Sequence, residues 1–471
     1  MRAGIDARNM QLAPKRPPAR YLPAVFLLLT DLLGLVLSFG ISYQFRFGEM
    51  PRAPGFSLIW PVVLTLFSLY VLDVYRTDTQ VAGMRAPVRT ITAVILATFL
   101  TAIAAYLGGY WSTSQFFGRG VFPVAMLLFA AWSTTSRFLA YRWTKHRVGL
   151  LRWLVLGAGE PSRQLWRDFR QFAPEAELVF LSANEKLDDG TATEERLPVA
   201  GAVGDLETWG NSRCSGIIVA MSPPLPEALV QKLMALRLSG LPVYDLADFY
   251  EHSWSKVPVF HLRDGWFVFS HGFDLLQNPL GLRTKRVLDV VFSLFLLVLF
   301  LPVMGVVALL IKLGGGPAIY RQLRTGEGGK TFTIYKFRSM RVDAEKNGAQ
   351  WASNNDSRVT RIGRLLRITR LDELPQLINV IRGDMSFIGP RPERPEFNRE
   401  LEQTIPYYEL RNLVKPGVTG WAQVMYPYGA SVEDAREKLQ YDLYYIKNYS
   451  LLLDVAILFK TLRVVFLGQG R

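Results

Sequence analysis

The run Arg370-Leu371-Asp372-Glu373-Leu374-Pro375-Gln376 sets two neighbouring carboxylates just ahead of a proline, in a stretch crowded with arginine. Pro375 suits the first residue of a helix, where its missing N–H costs nothing. Acids are favoured at helix N-termini for capping alone, but capping accounts for one acid more easily than for two amid so many cations. A carboxylate among cations stays ionised. It can then bind a divalent metal or attack phosphorus, and an aspartyl phosphate would split one hard transfer into two easier ones. Asp372 and Glu373 are therefore the candidate catalytic and metal-ligating pair.

Three further runs could serve the same chemistry. In Ile334-Tyr335-Lys336-Phe337-Arg338-Ser339-Met340, apolar alternation predicts a strand with Lys336 and Arg338 on one face. Two cations on one face suit a diphosphate; an exposed edge strand would carry the same residues for solubility. In Gly389-Pro390-Arg391-Pro392-Glu393, the prolines stiffen the loop and leave Arg391 as a pre-set phosphate clamp. In Tyr441-Asp442-Leu443-Tyr444, Asp442 is a candidate metal or ribose ligand. Weaker signals lie upstream. Gly157-Ala158-Gly159 has the strand–turn–helix context of a dinucleotide fingerprint, but Ser162 stands at the third glycine position and no compelling acid follows near Asn184 or Glu185. Tyr141 and Lys145 have a reductase-like spacing but precede the Gly turn, at the end of an apolar segment, which is the wrong place.

The elements that must position these residues include a membrane part. Half of the 471 residues are hydrophobic, and they concentrate before residue 145 and near 287–311. Four apolar stretches, at 22–43, 58–75, 90–110 and 121–141, approach the roughly 20 residues that cross a bilayer. Pro61 and Asp73 weaken the second. Basic residues cluster before the first stretch (Lys15, Arg16, Arg20), between the second and third (Arg76, Arg85, Arg89) and after the fourth (Arg142, Lys145, Arg147, Arg152). The positive-inside rule then puts both ends of this bundle in the cytoplasm.

A fifth apolar stretch, 287–311, is basic on both flanks and contains Pro302. A proline inside a helix removes a donor and favours a kink. A helix that breaks and leaves on the side it entered fits those flanks; a kinked ordinary span is the alternative. From Arg321 to Arg370 twelve basic residues face four acidic ones, and Arg361, Arg364, Arg367 and Arg370 interleave with apolar residues as on an amphipathic interfacial helix. The segment 451–467 reads as a docked or interfacial helix.

The expected organisation is a basic disordered arm (1–20), a four-helix transmembrane region (21–147), a Rossmann-like α/β domain (148–250), a connector (251–284) and an α+β catalytic domain with a re-entrant membrane helix (285–471). The net charge of +14 suits anionic lipid or phosphate better than nucleic acid in a chain with spanning segments. One cysteine, Cys214, excludes an internal disulfide, and four scattered histidines argue against a zinc site.

Taken together, Tyr320-Arg321-Gln322, the runs 335–340, 371–376 and 389–393, Lys415-Pro416-Gly417 with Thr419-Gly420-Trp421, and Tyr441-Asp442 resemble the polyprenyl-phosphate hexose-1-phosphate transferases, which are monotopic phosphoglycosyl transferases. The order matches over about 285–471, and the whole layout is similar to the large bacterial members that begin exopolysaccharide, capsule or O-antigen units.

The resemblance implies a transfer from a UDP-hexose (glucose or galactose) to undecaprenyl phosphate at the cytoplasmic face of the bacterial inner membrane. Asp372 would be nucleophile and Glu373 its partner, with Mg²⁺ close by. Lys336, Arg338 and Arg391 would hold phosphates, Asp442 would be a further active-site acid, and Pro302 would break the re-entrant helix. The α/β domain could support a homodimer. Leu301 and Gly314-Gly315-Gly316 depart from the family's pattern around the hairpin. A membrane-tethered nucleotide-sugar dehydratase or epimerase would need a catalytic Tyr-x-x-x-Lys after residue 159, and none is found. A non-catalytic polysaccharide scaffold would tolerate Asp372→Asn.

Overall fold

A computed structural model describes residues 22–49, 58–72, 74–75, 85–109, 120–147, 152–174, 176–182, 197–210, 214–221, 224–259, 262, 266–273, 278–344, 356–426, 429 and 431–466. The expected basic arm, the acid positions near 184–185 and several of the loop arginines lie outside them. The chain divides into two compact units, Met1–Asp245 and Leu246–Arg471.

The first unit begins with helices α1 (Leu22–Phe47), α2 (Ile59–Val71), α3 (Arg85–Leu107) and α4 (Val121–Arg147). Leu35, Phe39, Leu69, Ala93, Ala97, Phe122 and Phe129 form their shared core. Among the described residues, the helices long and apolar enough to cross a membrane are Ala24–Phe47, Pro87–Leu107, Val121–Ala140 and Pro279–Leu313. The chain is thus a membrane protein, but this set differs from the expected four. The second expected span is α2, with 13 residues. At about 1.5 Å per residue it is roughly 20 Å long, short of a hydrocarbon core of about 30 Å. Pro61 confines its start, because proline is tolerated in a helix's first turn and not in its interior.

The bundle holds a buried ion pair that the sequence reading did not single out. Arg137 donates to both carboxylate oxygens of Asp31, at 2.9 and 2.7 Å. Tyr75 and Ser133 donate to the same carboxylate at 2.8 and 2.9 Å. An uncompensated charge here would be costly, so each partner fixes the other and ties α1 to α4.

An all-parallel five-stranded sheet follows in the same unit. Its strands are β1 (Arg152–Leu156), β2 (Glu177–Ser182), β3 (Val199–Ala202), β4 (Gly216–Val219) and β5 (Val243–Asp245), in the order β3-β2-β1-β4-β5. Helices α5 (Glu160–Phe172) and α6 (Glu227–Leu238) connect strands as crossovers. Strands covered on both faces read as continuous apolar runs, as in Leu154-Val155-Leu156 and Ile217-Ile218-Val219.

The second unit starts with α7 (Leu246–Trp254), which packs beside the core of the unit's C-terminal half. Val257 and Val259 are buried with Leu401, Tyr408, Trp421, Leu439 and Tyr445. A 35-residue helix, α8 (Pro279–Leu313), runs through Pro302 without the break in secondary structure expected there. The hairpin β6 (Ile319–Thr325) and β7 (Thr331–Phe337) is antiparallel. Helices α9 (Arg361–Ile368) and α10 (Gln376–Arg382) follow. A short parallel pair, β8 (Ser386–Ile388) and β9 (Gly417–Thr419), is separated by α11 (Pro395–Thr404). Three helices complete the unit: α12 (Trp421–Met425), α13 (Val432–Lys447) and α14 (Leu451–Phe466). Ser431 and Asp434 form a capping box that starts α13. α14 docks through Asp454, which accepts from Lys285 and Tyr445 at 2.9 Å each.

Candidate active site

The two carboxylates sit on a single tight turn, Leu371–Glu373, between α9 and α10. The chain enters it through Arg370 in a left-handed conformation (φ 56°), which turns it sharply out of α9. α9 is capped by Thr360, whose hydroxyl accepts from Gly363 N–H at 2.9 Å. Gly363 must be glycine, because a Cβ there would run into the backbone of Ser339. That close approach sets α9 against the end of β7, the strand that carries Lys336.

Glu373 is 7% exposed and surrounded by cations. Its Oε1 accepts from Arg391 at 2.7 Å and from Lys336 at 3.4 Å, and its Oε2 accepts from Arg370 at 3.3 Å. Asp372 is 9% exposed. Among the described residues, no side-chain hydrogen bond or ion pair engages its carboxylate. The pair is therefore split. Burial raises the pKa of Glu373, but Arg391, Lys336 and Arg370 outweigh it and hold the carboxyl well below its usual value. Burial and the adjacent Glu373 charge push Asp372 up to about 6. Burial lowers the Lys336 ammonium to about 8 despite Glu373. The expectation that the arginine-rich pocket keeps both acids strongly ionised holds for Glu373. Asp372 instead is raised, and at about 6 it is still mostly charged at neutral pH.

Arg391 is set by the backbone behind it. Gly389 N–H donates to Thr419 O at 2.9 Å and Gly417 N–H to Pro390 O at 2.8 Å. Side chains at Gly389 and Gly417 would collide with each other's backbone, so only glycine lets β8 and β9 close at this point. Arg411 then donates to Arg391 O at 2.8 Å and to Asp442 Oδ2 at 2.9 Å. Asp442, expected as an active-site acid or ligand, is 2% exposed and engaged by Arg411. It reaches the site through Arg411 and the Arg391 backbone, not with a free carboxylate of its own. Burial pushes it up to about 6 even with that guanidinium beside it.

Arg338 also stands apart from Lys336. β7 ends at Phe337, so the alternation that put both cations on one face stops one residue too soon. The Arg338 guanidinium turns to the end of α8, bonding Ile311 O in its last turn at 3.4 Å and Gly315 O just beyond it. A helix C-terminus attracts a cation there. In the α/β sheet, Ser162 is fully buried and its hydroxyl donates to Gly157 O at 2.8 Å. The residue at the third glycine position thus fills the turn.

Three participants escaped the sequence reading. Gln423 Oε1 accepts from both Arg370 and Arg391, at 3.3 Å each, and so sets the spacing of two of the three cations on Glu373. It follows Thr419-Gly420-Trp421 by two residues, and that adjacency was the available signal. Arg370 lies three residues before Glu373, a helical spacing that brings them together. Arg411 carried no signal, since the partners that tie it to the site, Arg391 O and Asp442, are 20 and 31 residues away. Trp421, on the same helix as Gln423, donates through Nε1 to Ser255 O at 3.0 Å, so the segment after α7 braces the site.

Residues 281–468 match the bacterial sugar transferase family. An undecaprenyl-phosphate galactose phosphotransferase from Salmonella typhimurium is 30% identical over 395 residues, covering 74% of this chain and 79% of that one. The chain belongs to the bacterial sugar transferase family. Two further relatives of this family member are a UDP-N-acetylgalactosamine-undecaprenyl-phosphate N-acetylgalactosaminephosphotransferase from Aeromonas hydrophila and a UDP-glucose:undecaprenyl-phosphate glucose-1-phosphate transferase from Escherichia coli. The first is 44% identical over 50% of this chain and 54% of its own length, the second 44% over 42% and 43%. The chain thus spans about half the length of these two.

Proposed function

We propose that this sugar transferase moves a sugar-1-phosphate from a UDP-hexose to undecaprenyl phosphate through an aspartyl-phosphosugar. The observation that carries the reading is the division within the dyad: Glu373 is saturated by Arg391, Lys336 and Arg370, whereas Asp372 is buried, raised and open. A carboxylate oxygen of Asp372 attacks the sugar-side phosphorus. A P–O bond to Asp372 forms, the phosphoanhydride bond breaks, and UMP leaves with the electron pair. An oxygen of undecaprenyl phosphate then attacks the same phosphorus, restoring the carboxylate and giving the lipid diphosphate sugar. Lys336 and Arg391 balance the charge of the diphosphate.

The residues fit Mg²⁺ in a limited way. Among the described residues no cluster of three or more His, Cys, Asp or Glu is present. Mg²⁺ needs none, since it commonly takes one or two carboxylates and completes its octahedron with phosphate and water. Asp372 and Glu373 would hold it, Glu373 by releasing one cation, and the ion would neutralise charge on the bound diphosphate.

The membrane arrangement we infer is re-entrant, with α8 bending while it stays helical rather than breaking at Pro302, and with the catalytic unit on the cytoplasmic face of the inner membrane. Both ends of α8 pack on one unit. Arg286 donates to Val380 O and Ile381 O, and Asp289 accepts from Ser386 at 2.7 Å. At the other end, Val307 and Ile311 pack with Phe337 and Leu366. Between them Leu294, Phe295, Val298, Leu299 and Leu301 are exposed, the surface that a bilayer would cover. Ile362 and Leu365 on α9 are exposed too, as an interfacial helix requires. The strand order β3-β2-β1-β4-β5 supports a Rossmann-like reading of the α/β domain.

Incubation with radiolabelled UDP-glucose, UDP-galactose and UDP-N-acetylgalactosamine in the absence of lipid acceptor tests the proposal. One sugar should give UMP and acid-trapped label on the protein, discharged by undecaprenyl phosphate. No UMP from any of them would sink it.

A further inference from the structure

Beside the dyad lies a small cleft lined by Arg324, Ile334, Lys336, Gln376, Arg391 and Pro392. Lys336 and Arg391 already turn toward Glu373. The terminal nitrogens of Arg324 are engaged by Pro392 O at 3.1 Å and Gln322 Oε1 at 2.7 Å, which leaves Nε buried without an acceptor. Gln376 is 2% exposed, and among the described residues its Nε2 also has no acceptor. Among the described residues, then, two buried N–H donors, one of them on Arg324, have nothing to receive them in a cleft that two further cations, Lys336 and Arg391, also line. Folded chains seldom leave such donors unsatisfied, because each costs the full desolvation of the group. What would satisfy them all is a compact oxyanion with several acceptor oxygens. Gln376 opens α10 two residues after the turn Leu371–Leu374 that carries Asp372.

We propose that Gln376, backed by Arg324, donates a hydrogen bond to a non-bridging oxygen of the phosphoryl group that Asp372 receives, and is a catalytic residue of this site. The proposal rests on the reading of Asp372 as nucleophile. As the bond to Asp372 forms and the phosphoanhydride oxygen departs with UMP, charge spreads over the equatorial oxygens. The amide meets it there, and meets it again when the lipid phosphate attacks. No proton changes hands. A neutral donor suits this place: Lys336 and Arg391 bind the ground-state diphosphate strongly, and only a group aimed at the transition state adds rate.

The test uses the full-length chain in detergent with Gln376→Met and Gln376→Glu. Three quantities are read: the melting temperature, its rise with inorganic pyrophosphate, and the single-turnover rate of label transfer from the UDP-sugar to protein. Gln376→Met removes an unsatisfied donor at nearly constant shape. It should melt at or above the wild type while labelling about 10- to 100-fold more slowly, with a smaller pyrophosphate shift. Gln376→Glu, which sets a carboxylate against the phosphate, should label more slowly still. If Gln376 serves only the fold, Met lowers the melting temperature and leaves the pyrophosphate shift intact, which overturns the proposal. Labelling within threefold of wild type also overturns it. If the wild type itself takes no label from any UDP-sugar, the nucleophile reading falls. The pyrophosphate shift of the two variants then still decides whether the cleft is an oxyanion site.

Discussion

Two buried ion clusters, one in each compact unit, use the same residue types and reach opposite electrostatic states. In the apolar bundle, Asp31 meets Arg137 in a bidentate pair, and Tyr75 and Ser133 donate to the same carboxylate. One anion meets one cation, and every carboxylate oxygen is satisfied. In the second unit, three cations converge on Glu373 while its neighbour Asp372 is left without a partner among the described residues. Pairing that closes on itself holds helices together. Pairing that leaves surplus positive charge beside an open carboxylate is prepared for an anionic ligand that is not part of the protein.

The largest effect that could break this contrast is at the open carboxylate. Asp372→Asn should keep the fold, since no side-chain hydrogen bond among the described residues is lost, and cut turnover by at least about 10³-fold, because the proposed covalent step disappears. Label on the protein should vanish. Retained UMP release would place Asp372 on the structural side of the comparison. In the bundle the outcome should reverse. Arg137→Met strands Asp31 in an apolar interior and should destabilise the first unit by on the order of 3 kcal/mol, read by melting in detergent. The single-turnover labelling rate of molecules that remain folded should stay within twofold of wild type. A large loss of that rate would show that the bundle pair also serves chemistry.

A smaller effect sharpens how the cations are held. Gln423→Leu frees Arg370 and Arg391 from their common acceptor. Losing one charge-assisted contact at each cation should slow label formation about tenfold. The melting temperature should barely change if Trp421 keeps α12 anchored on Ser255 O.

How much of this was legible in the sequence depends on whether the partners are local. Asp372, Glu373, Lys336 and Arg391 were visible because each sits in a short run whose composition is unusual by itself. The α/β domain was visible because β1 and β4 carry unbroken apolar runs, Leu154-Val155-Leu156 and Ile217-Ile218-Val219. Arg338 was misplaced since a strand's end cannot be fixed to one residue from alternation alone. Asp442 read as a free acid because nothing in Tyr441-Asp442 announces that Arg411, 31 residues earlier, will bury it. Asp31 and Arg137 were hidden within apolar stretches that otherwise look like plain spans, and their partnership spans 106 residues. The short α2 was overestimated because the apolar run outlasts the helix that forms in it. Where side chains from distant segments complete a group, spacing carries no information, and only packing reveals it.

The smallest expected effect comes from protons. A carboxyl raised above its ordinary value loses its charge as pH falls through the raised value, so Asp372 should be half protonated near pH 6. Between pH 7.5 and 6 the first-step rate should therefore fall about twofold, and below 6 about tenfold per pH unit. Single-turnover labelling without acceptor isolates this limb, because the donor diphosphate has no group titrating near 6 while the terminal phosphate of the lipid does. Glu373 cannot supply the limb, since its cations hold it well below the ordinary carboxylate range and it stays charged throughout. A flat profile from pH 5 to 7.5 would mean that Asp372 is as firmly held in its ionised form as its neighbour. The two carboxylates would then be one saturated pair, like the one in the bundle.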